Sequence, residues 1–397
     1  MPKLLPVNIT ANWGSTGKIA ESIGVSAKNH GWDSYIAYGR WCNPSQSELI
    51  KIGGPLDKYF HYAEQRLRDN EGLCSRRATE RFIKHIEAIK PDIVQLHNIH
   101  DHYLNYKLLF EYLNRTDIKV VWTFHDCWAF TGHCFHFVTA DCSKWKTGCF
   151  ECPMKNVLPK TVIDRSKEHF ELKEQLFGGC KNLTIVPVSD WMAGFVRQSF
   201  LKEKRIEVIK NGVDLNVFKP SKDSNCDGEC RVLAVSSVWN EDKGLSDIYK
   251  LRSLLPSEYK ITIVGLNEKQ LKELPDGIDG IQRTQNVKAL VDLYSGANVL
   301  INPTYADTFP TVNLEALACG TPVVTYRTGG SPEAIDENTG FVVEQGNIKE
   351  MAEAVKIICG NGKNYYTEPC RQRAEACFDK DTCFEKYVEL YEDLLNH

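Results

Sequence analysis

The stretch that decides the fold is Asn302-Pro-Thr-Tyr-Ala-Asp-Thr-Phe-Pro-Thr-Val-Asn-Leu-Glu-Ala-Leu-Ala-Cys-Gly-Thr-Pro-Val-Val, residues 302–324. An apolar run, Val299–Asn302, ends in a loop carrying Asp307. A helix is expected to start between Phe309 and Thr311 and to stop at Gly320, before another apolar run, Pro322–Thr325. Strand, helix and strand in so short a span form a crossover unit, which pairs its strands in parallel. The two carboxylates fall on different elements, Asp307 on the loop and Glu315 about one turn inside the helix. The unpaired N–H groups of Thr311 and Val312 lie between them, at the positive end of the helix dipole, where anions bind. A diphosphate flanked by carboxylates that grip sugar hydroxyls fits that arrangement.

The same alternation extends through the chain. Candidate strands are Leu4–Thr10, Asp33–Tyr38, Ile93–His97, Val120–Phe124, Thr184–Val188 and Ile206–Ile209, then Arg231–Ser236, Lys260–Val264, Val299–Asn302 and Pro322–Thr325. They are rich in Val and Ile without strict alternation, as strands covered by helices on both faces are. The fold class is α/β, with two Rossmann-like, doubly wound domains. Turn signals between Asn211 and Cys230 mark the boundary. The expected division is residues 1–212, residues 213–375, and a C-terminal helix over 376–397 that packs back on the first domain. Ligands of open α/β sheets bind beyond the carboxyl ends of the strands, so a cleft between the two sheets is the expected site.

A chain of 397 residues suits two cores better than one. Its 42% hydrophobic and 25% charged content excludes disorder, collagen and coiled coil. With no apolar run near the ~20 residues of a membrane span and no signal-peptide pattern, the expected location is the cytoplasm. The net charge of −4 conceals a polarity. There are 29 basic and 23 acidic side chains up to Gly212, a net of +6, and 19 against 29 after it, a net of −10. A pI near 6.3 argues against nucleic acid as a partner. The basic stretch Arg66, Arg68, Arg76, Arg77 and Arg81 suits an anionic lipid surface, or is a solvated helix face.

The 302–324 stretch resembles the retaining GT-B glycosyltransferases of family 4, which use nucleotide-sugar donors. Asp307 and Glu315 have that family's acidic spacing, and Ala-Leu-Ala-Cys-Gly-Thr-Pro-Val follows as it does there. Further landmarks are Asn211-Gly-Val-Asp-Leu-Asn-Val-Phe-Lys-Pro, Lys243-Gly, Gly329-Gly-Ser-Pro-Glu and Gly14-Ser-Thr-Gly, in the family's order. The branch making bacterial capsule, exopolysaccharide or lipopolysaccharide chains is the most similar. The resemblance implies that Glu315 holds the donor ribose, that Asp307 approaches the transferred sugar, and that Lys243 neutralises the diphosphate. Phe309, Thr311 and Val312 complete the donor site. Two positions depart from the pattern: Asp307 stands where Glu is usual, and Val238 replaces an Arg before Lys243. The missing Arg removes a bidentate phosphate clamp, for which Arg283 is the candidate substitute.

Gly14, Thr16 and Gly17 follow the first strand as a glycine-permitted backbone approach to a ligand, with the next helix expected from Lys18. The spacing matches neither a dinucleotide fingerprint nor a P-loop. His125 and Asp126 end the strand Val120–Phe124, and the resemblance implies that His125 contacts the donor sugar. His97, His100 and Arg40 are further strand-end residues that serve either the site or the core. No glycosidase-type carboxylate pair is readable, so the expected attack is from the front face, with the leaving phosphate taking the acceptor proton.

Cys127, Cys134, Cys142, Cys149 and Cys152 fall in one loop, 127–152, and end in a Cys-x-x-Cys hairpin. Cys134, Cys142, Cys149 and Cys152 could hold structural zinc; free thiols or an iron–sulfur cluster are the alternatives. Cys226, Cys230, Cys370, Cys377 and Cys383 read as thiols. The expected activity is transfer of a sugar from a nucleoside-diphosphate sugar to a growing, lipid-linked or free glycan. No cofactor is required for catalysis, and the expected setting is the inner face of the membrane. A nucleotide-sugar epimerase and a non-catalytic nucleotide-sugar scaffold are the rival readings.

Overall fold

The computed structural model describes residues 1–157, 159–221 and 229–397; Cys226 lies outside them. It contains two compact units. The first comprises Met1–Lys210 and Phe384–His397, and the second Asn211–Cys383. The returning segment thus begins at Phe384 rather than at residue 376, within a helix that runs from Lys380 to Asn396.

The first unit holds a seven-stranded sheet: β1 (Lys3–Asn8), β2 (Asp33–Tyr38), β3 (Glu48–Lys51), β4 (Ile93–Leu96), β5 (Lys119–Phe124), β6 (Leu183–Pro187) and β7 (Arg205–Ile206). Their spatial order is β3-β2-β1-β4-β5-β6-β7, and every pairing is parallel. The second unit holds β8 (Cys230–Val235), β9 (Tyr259–Val264), β10 (Ile278–Ile281), β11 (Val299–Asn302), β12 (Val323–Tyr326) and β13 (Gly340–Val343). These run β10-β9-β8-β11-β12-β13, again all parallel. Each sheet therefore has one switch point, where successive connections leave in opposite directions: between β1 and β4, and between β8 and β11. Crevices open there beyond the carboxyl ends of the strands.

Central strands are apolar throughout; Leu4, Leu5, Val7, Ile93, Val94, Leu96, Val120 and Val121 are fully buried. Three strands without a sequence signal strong enough to be expected are β3, β10 and β13, which lie at sheet edges. An edge strand has one neighbour and partial cover, so Glu-Leu-Ile-Lys and Ile-Asp-Gly-Ile need not be uniformly apolar. The candidate strand Ile206–Ile209 is regular strand only at Arg205 and Ile206, although the Glu207 and Ile209 N–H groups also donate to the Ile185 and Pro187 carbonyls of β6, at 3.0 and 3.2 Å.

Cys230 is not a free thiol. It opens β8 and is joined in a disulfide to Cys359, on the helix Ile348–Asn361, with their Cα atoms 5.9 Å apart. In the first unit the returning helix buries Tyr387, Val388 and Tyr391, and Thr123 of β5 donates to the Tyr387 hydroxyl at 3.2 Å. Among the described residues no helix is long and apolar enough to cross a membrane.

Candidate functional site

In the second unit the residues beyond β8 and β11 are knitted together by backbone. Lys243 ends a short 3-10 turn, Glu241–Lys243, whose N-cap Asn240 accepts from the Lys243 N–H at 3.0 Å. Gly244 follows with φ +73°, and a Cβ there would drive into the carbonyl of Pro303, so glycine is required for the two loops to touch. Tyr305 and Thr304 both donate to the Asp242 carbonyl, at 2.7 and 3.2 Å. The result is a direct ion pair: Lys243 Nζ lies 2.6 Å from Asp307 Oδ2, with both side chains partly covered.

The helix beside this pair runs Thr311–Ala318, within the expected limits. Its N-cap is Pro310, which supplies no side-chain acceptor, so Asp307 is not the capping residue and the first N–H groups remain open to a ligand. Glu315 accepts a hydrogen bond at 2.7 Å from the hydroxyl of fully buried Tyr294. Phe309 departs from the expectation: it is 4% exposed and packs against Phe378, so it braces the loop from the core instead of lining the donor site. Arg283 stands exposed beyond β10, and no ion pair to it is found among the described residues; Val238 is also exposed.

The supports of the site carried no motif. Asp247 is buried and accepts from Tyr305 and Tyr326 at 2.6 and 2.8 Å. Asn302, at the end of β11, donates to Asn313 at 2.9 Å and so ties strand to helix. Gly329, at φ +59°, lies so close to the Asp307 backbone that a Cβ would overlap the Asp307 carbonyl. The Gly-Gly turn therefore shapes the loop that presents Asp307.

In the first unit the corresponding crevice lies beyond β1, β4 and β5. The helix after β1 begins at Gly14, four residues before the expected Lys18, so Gly14, Thr16 and Gly17 form its first turn. No side chain caps that turn. Asn8, buried at the end of β1, donates to Thr16 Oγ1 at 3.3 Å and accepts from the Asn98 N–H at 3.3 Å, linking the glycine turn to the β4 loop.

His97 Nδ1 meets His125 Nε2 at 3.0 Å, with the rings stacked. Burial pushes His97 well down and His125 down to about 4, the latter only partly offset by neighbouring Asp126. Beside them His100 Nε2 lies 2.8 Å from Asp126 Oδ2. Burial opposes both charges, but their attraction prevails, holding His100 above and Asp126 at about 2, below their ordinary values. Arg40 pairs with Asp101 at 2.7 Å. His125 is thus a neutral imidazole next to a charged pair.

The loop after β5 is held by two groups that no motif flagged. Lys173 is buried and donates to the carbonyls of Trp128 and Thr131 at 2.7 and 3.0 Å; desolvation lowers it to about 7. Asp69 accepts from His133 and from the Arg165 N–H, both at 2.9 Å, so His133 has a structural partner. Cys134, Cys142, Cys149 and Cys152 line one small cavity, together with His133, Phe137, Trp145 and Met154. The expected tetrahedral cluster is not preformed: among the described residues no three His, Cys, Asp or Glu side chains are grouped so as to hold a metal ion. The thiols are nonetheless convergent, with Cys134 and Cys152 in hydrogen-bond contact and the Gly132 N–H donating to Cys149 Sγ at 3.2 Å.

Comparison with known proteins identifies the family. The model of Glycosyltransferase Family 4 matches residues 27–217, and that of Glycosyl transferases group 1 matches residues 229–361. The chain belongs to the GT-B glycosyltransferases of family 4. It is 24% identical over 419 residues to the putative colanic acid biosynthesis glycosyl transferase WcaC of Escherichia coli, covering 98% of this chain and all of that one. It is 25% identical over 230 residues to the N,N'-diacetylbacillosaminyl-diphospho-undecaprenol alpha-1,3-N-acetylgalactosaminyltransferase of Campylobacter jejuni, covering 53% of this chain and 60% of that protein. Sucrose-phosphate synthase from Thermosynechococcus elongatus superposes with a TM-score of 0.76 at 16% identity, over the whole of both chains. The chain is accordingly a glycosyltransferase, the reading these family matches favour over an epimerase.

Two predictions follow from the site. Gly329→Ala places a side chain on the Asp307 carbonyl and demands a left-handed alanine, a cost of at least about 1 kcal/mol. The expected result is a melting temperature lower by about 2–4 °C or more, with loss of donor binding, read by thermal shift with and without nucleotide sugar. The second concerns pH. His97 and His125 are held below the ordinary imidazole value, so between about pH 6.5 and 4 the unfolded chain binds more protons than the folded one. Stability is therefore full above 6.5 and falls as the pH drops through that window. His125→Asn should lose less stability than the native chain between pH 7 and 5 in parallel melts.

Proposed function

We propose that the enzyme transfers a sugar, with retention of configuration, from a nucleoside-diphosphate sugar to a growing glycan of capsule, exopolysaccharide or lipopolysaccharide type at the inner face of the membrane. The observation that carries this reading is the Lys243–Asp307 pair beside an uncapped helix N-terminus, with Glu315 one turn along that helix. A leaving diphosphate gains negative charge as the bond from the anomeric carbon to the phosphate oxygen breaks. Lys243 and the N–H groups of Thr311 and Val312 are fixed sources of positive potential for that charge. When phosphate takes the lysine, Asp307 is released from its ion pair to accept from a hydroxyl of the transferred sugar. Glu315, oriented by Tyr294, holds the ribose hydroxyls.

In the first unit the opening turn Gly14–Gly17 offers N–H groups to the acceptor. His125, neutral and oriented by His97, supports the positive charge that develops at the anomeric carbon. The acceptor oxygen bonds to that carbon from the leaving-group side, and its proton passes to the departing phosphate oxygen. Lipid linkage of the acceptor is supported by the Campylobacter relative, whose name carries a diphospho-undecaprenol acceptor.

Lys243→Ala is expected to lower kcat/KM by about 10²–10³-fold. In a thermal-shift series with UDP-, GDP- and ADP-sugars, one donor should stabilise the native enzyme, by about 2.7 kcal/mol at a hundredfold excess over Kd, and Lys243→Ala should lose that shift. NMR assignment of an inverted product anomer would refute retention.

The four convergent thiols support a second reading, structural zinc held by Cys134, Cys142, Cys149 and Cys152. Thiolate is the zinc ligand; the Cys152 contact and burial hold Cys134 well above its ordinary value, and burial pushes Cys149 up to about 11 despite the Gly132 N–H and Lys173, so the ion itself would have to displace those protons. The ion would cross-link the loop and perform no chemistry. Purified enzyme should contain about one equivalent of zinc, lost with a fall in melting temperature in Cys149→Ser; less than about a tenth of an equivalent removes the reading.

A further inference from the structure

The helix Pro55–Arg68 in the first unit is built inside out. A surface helix ordinarily turns its apolar stripe to the core. Here Leu56, Tyr59, Phe60 and Leu67, the last three lying three, four and eleven residues after the first, are 84%, 70%, 70% and 60% exposed. The inward residues are polar and fully engaged. His61 accepts from the Gly72 N–H at 3.0 Å and meets Ser75 Oγ at 2.9 Å, and Gln65 donates to the Lys160 carbonyl at 2.8 Å. The polar face therefore determines how the helix is seated, and the apolar stripe is left outward.

The exposed apolar surface continues at both ends of this helix. Exposed Val162 and Ile163 sit by its C-terminus, where the Val162 N–H donates to the Arg66 carbonyl at 3.0 Å. At its start the Lys58 ammonium lies 5.3 Å from the ring of Trp41, which in turn packs on Trp13 at 4.8 Å. Both tryptophans are more than two-fifths exposed, and Trp13 is the residue before the Gly14 turn. Lys58, Arg66 and Arg68 flank the stripe, and the adjoining helix Arg76–Ile89 adds exposed Arg77, Arg81 and Lys84. Acidic side chains on the two helices are partly spent: Asp57 accepts from the Gly54 N–H, Glu64 pairs with Arg68, and Glu80 pairs with Arg76.

We propose that this face, Leu56, Tyr59, Phe60 and Leu67 rimmed by Lys58, Arg66 and Arg68, is a docking surface for an anionic lipid bilayer. It rests on the reading of a lipid-linked acceptor and deepens it by naming the surface. An apolar stripe with tyrosine and tryptophan at its borders and cations beside it matches the layered chemistry of a bilayer: acyl chains, then the polar interface, then phosphate. A protein partner would satisfy the apolar residues equally well, but the surplus of cations is complementary to anionic headgroups. Continuity from the stripe through Trp41 and Trp13 to the Gly14 turn would bring a lipid-borne substrate alongside the N–H groups of the site.

The test uses the full-length enzyme, with vesicles of phosphatidylcholine alone and of phosphatidylcholine with phosphatidylglycerol. Sedimentation is expected with the anionic vesicles only, weakening as salt rises. The variant Leu56→Ser/Phe60→Ser should abolish it, and Arg66→Gln/Arg68→Gln should weaken it by roughly tenfold or more. These side chains are on the surface, so melting temperatures and the donor-induced thermal shift should match the native enzyme. A native enzyme that keeps its donor-induced shift yet fails to sediment with anionic vesicles would overturn the docking surface while leaving the transferase reading intact. Equal binding by the native and variant chains would overturn it too. So would a concentration-dependent dimer that Leu56→Ser/Phe60→Ser dissolves, since the stripe would then be a contact between copies.

Discussion

Parallel strand pairing is the constraint on which the rest of this structure depends. A parallel neighbour cannot be reached by a tight hairpin, so each connection crosses back over a face of the sheet and every strand ends at the same edge. In both units the candidate site residues stand at that edge: Asn8, His97 and His125 in one, Lys243 and Asp307 in the other. Their separation in sequence, 64 positions between Lys243 and Asp307, is erased by strand order, because β8 and β11 are neighbours. The switch points then determine which loops can part far enough to admit a ligand.

Loops at such an edge need anchoring, and the two units solve this differently. The site loops of the second unit interlock through backbone, with Gly244 against Pro303 and Gly329 against Asp307 allowing approaches that any side chain would prevent. The long loop after β5 instead relies on buried charge. Lys173 reaches two carbonyls and Asp69 holds His133 and Arg165. A buried cation satisfied by carbonyls is costly to form but geometrically demanding, which suits a loop with little regular structure.

Much of this was legible in the residues. Uniform Val and Ile runs signalled the central strands because burial on both faces leaves no alternation to read. The edge strands β3, β10 and β13 escaped because partial cover relaxes that demand. Asp307, Glu315 and Lys243 were legible because their spacing and flanking glycines recur as a pattern, whereas Asp247, Tyr294 and Asn313 carry no motif and gain their place only by contact. Phe309 shows the opposite error: a position inside a recognisable motif that serves the core. Cys230 was misread because its partner Cys359 lies 129 residues away, a distance no local pattern spans.

Sequence by itself determined the fold class, the family and the acidic pair, since these follow from periodicity and short-range spacing, which the backbone converts directly into strands, turns and helix ends. Tertiary structure alone decided which charge faces which. Lys243 meets Asp307, His125 stays neutral against His97 while His100 and Asp126 are charged beside it, and the Pro55–Arg68 helix turns its apolar stripe outward. Each is an outcome of burial and of which partner lies within a few ångströms. Neither quantity is encoded in any single stretch of chain.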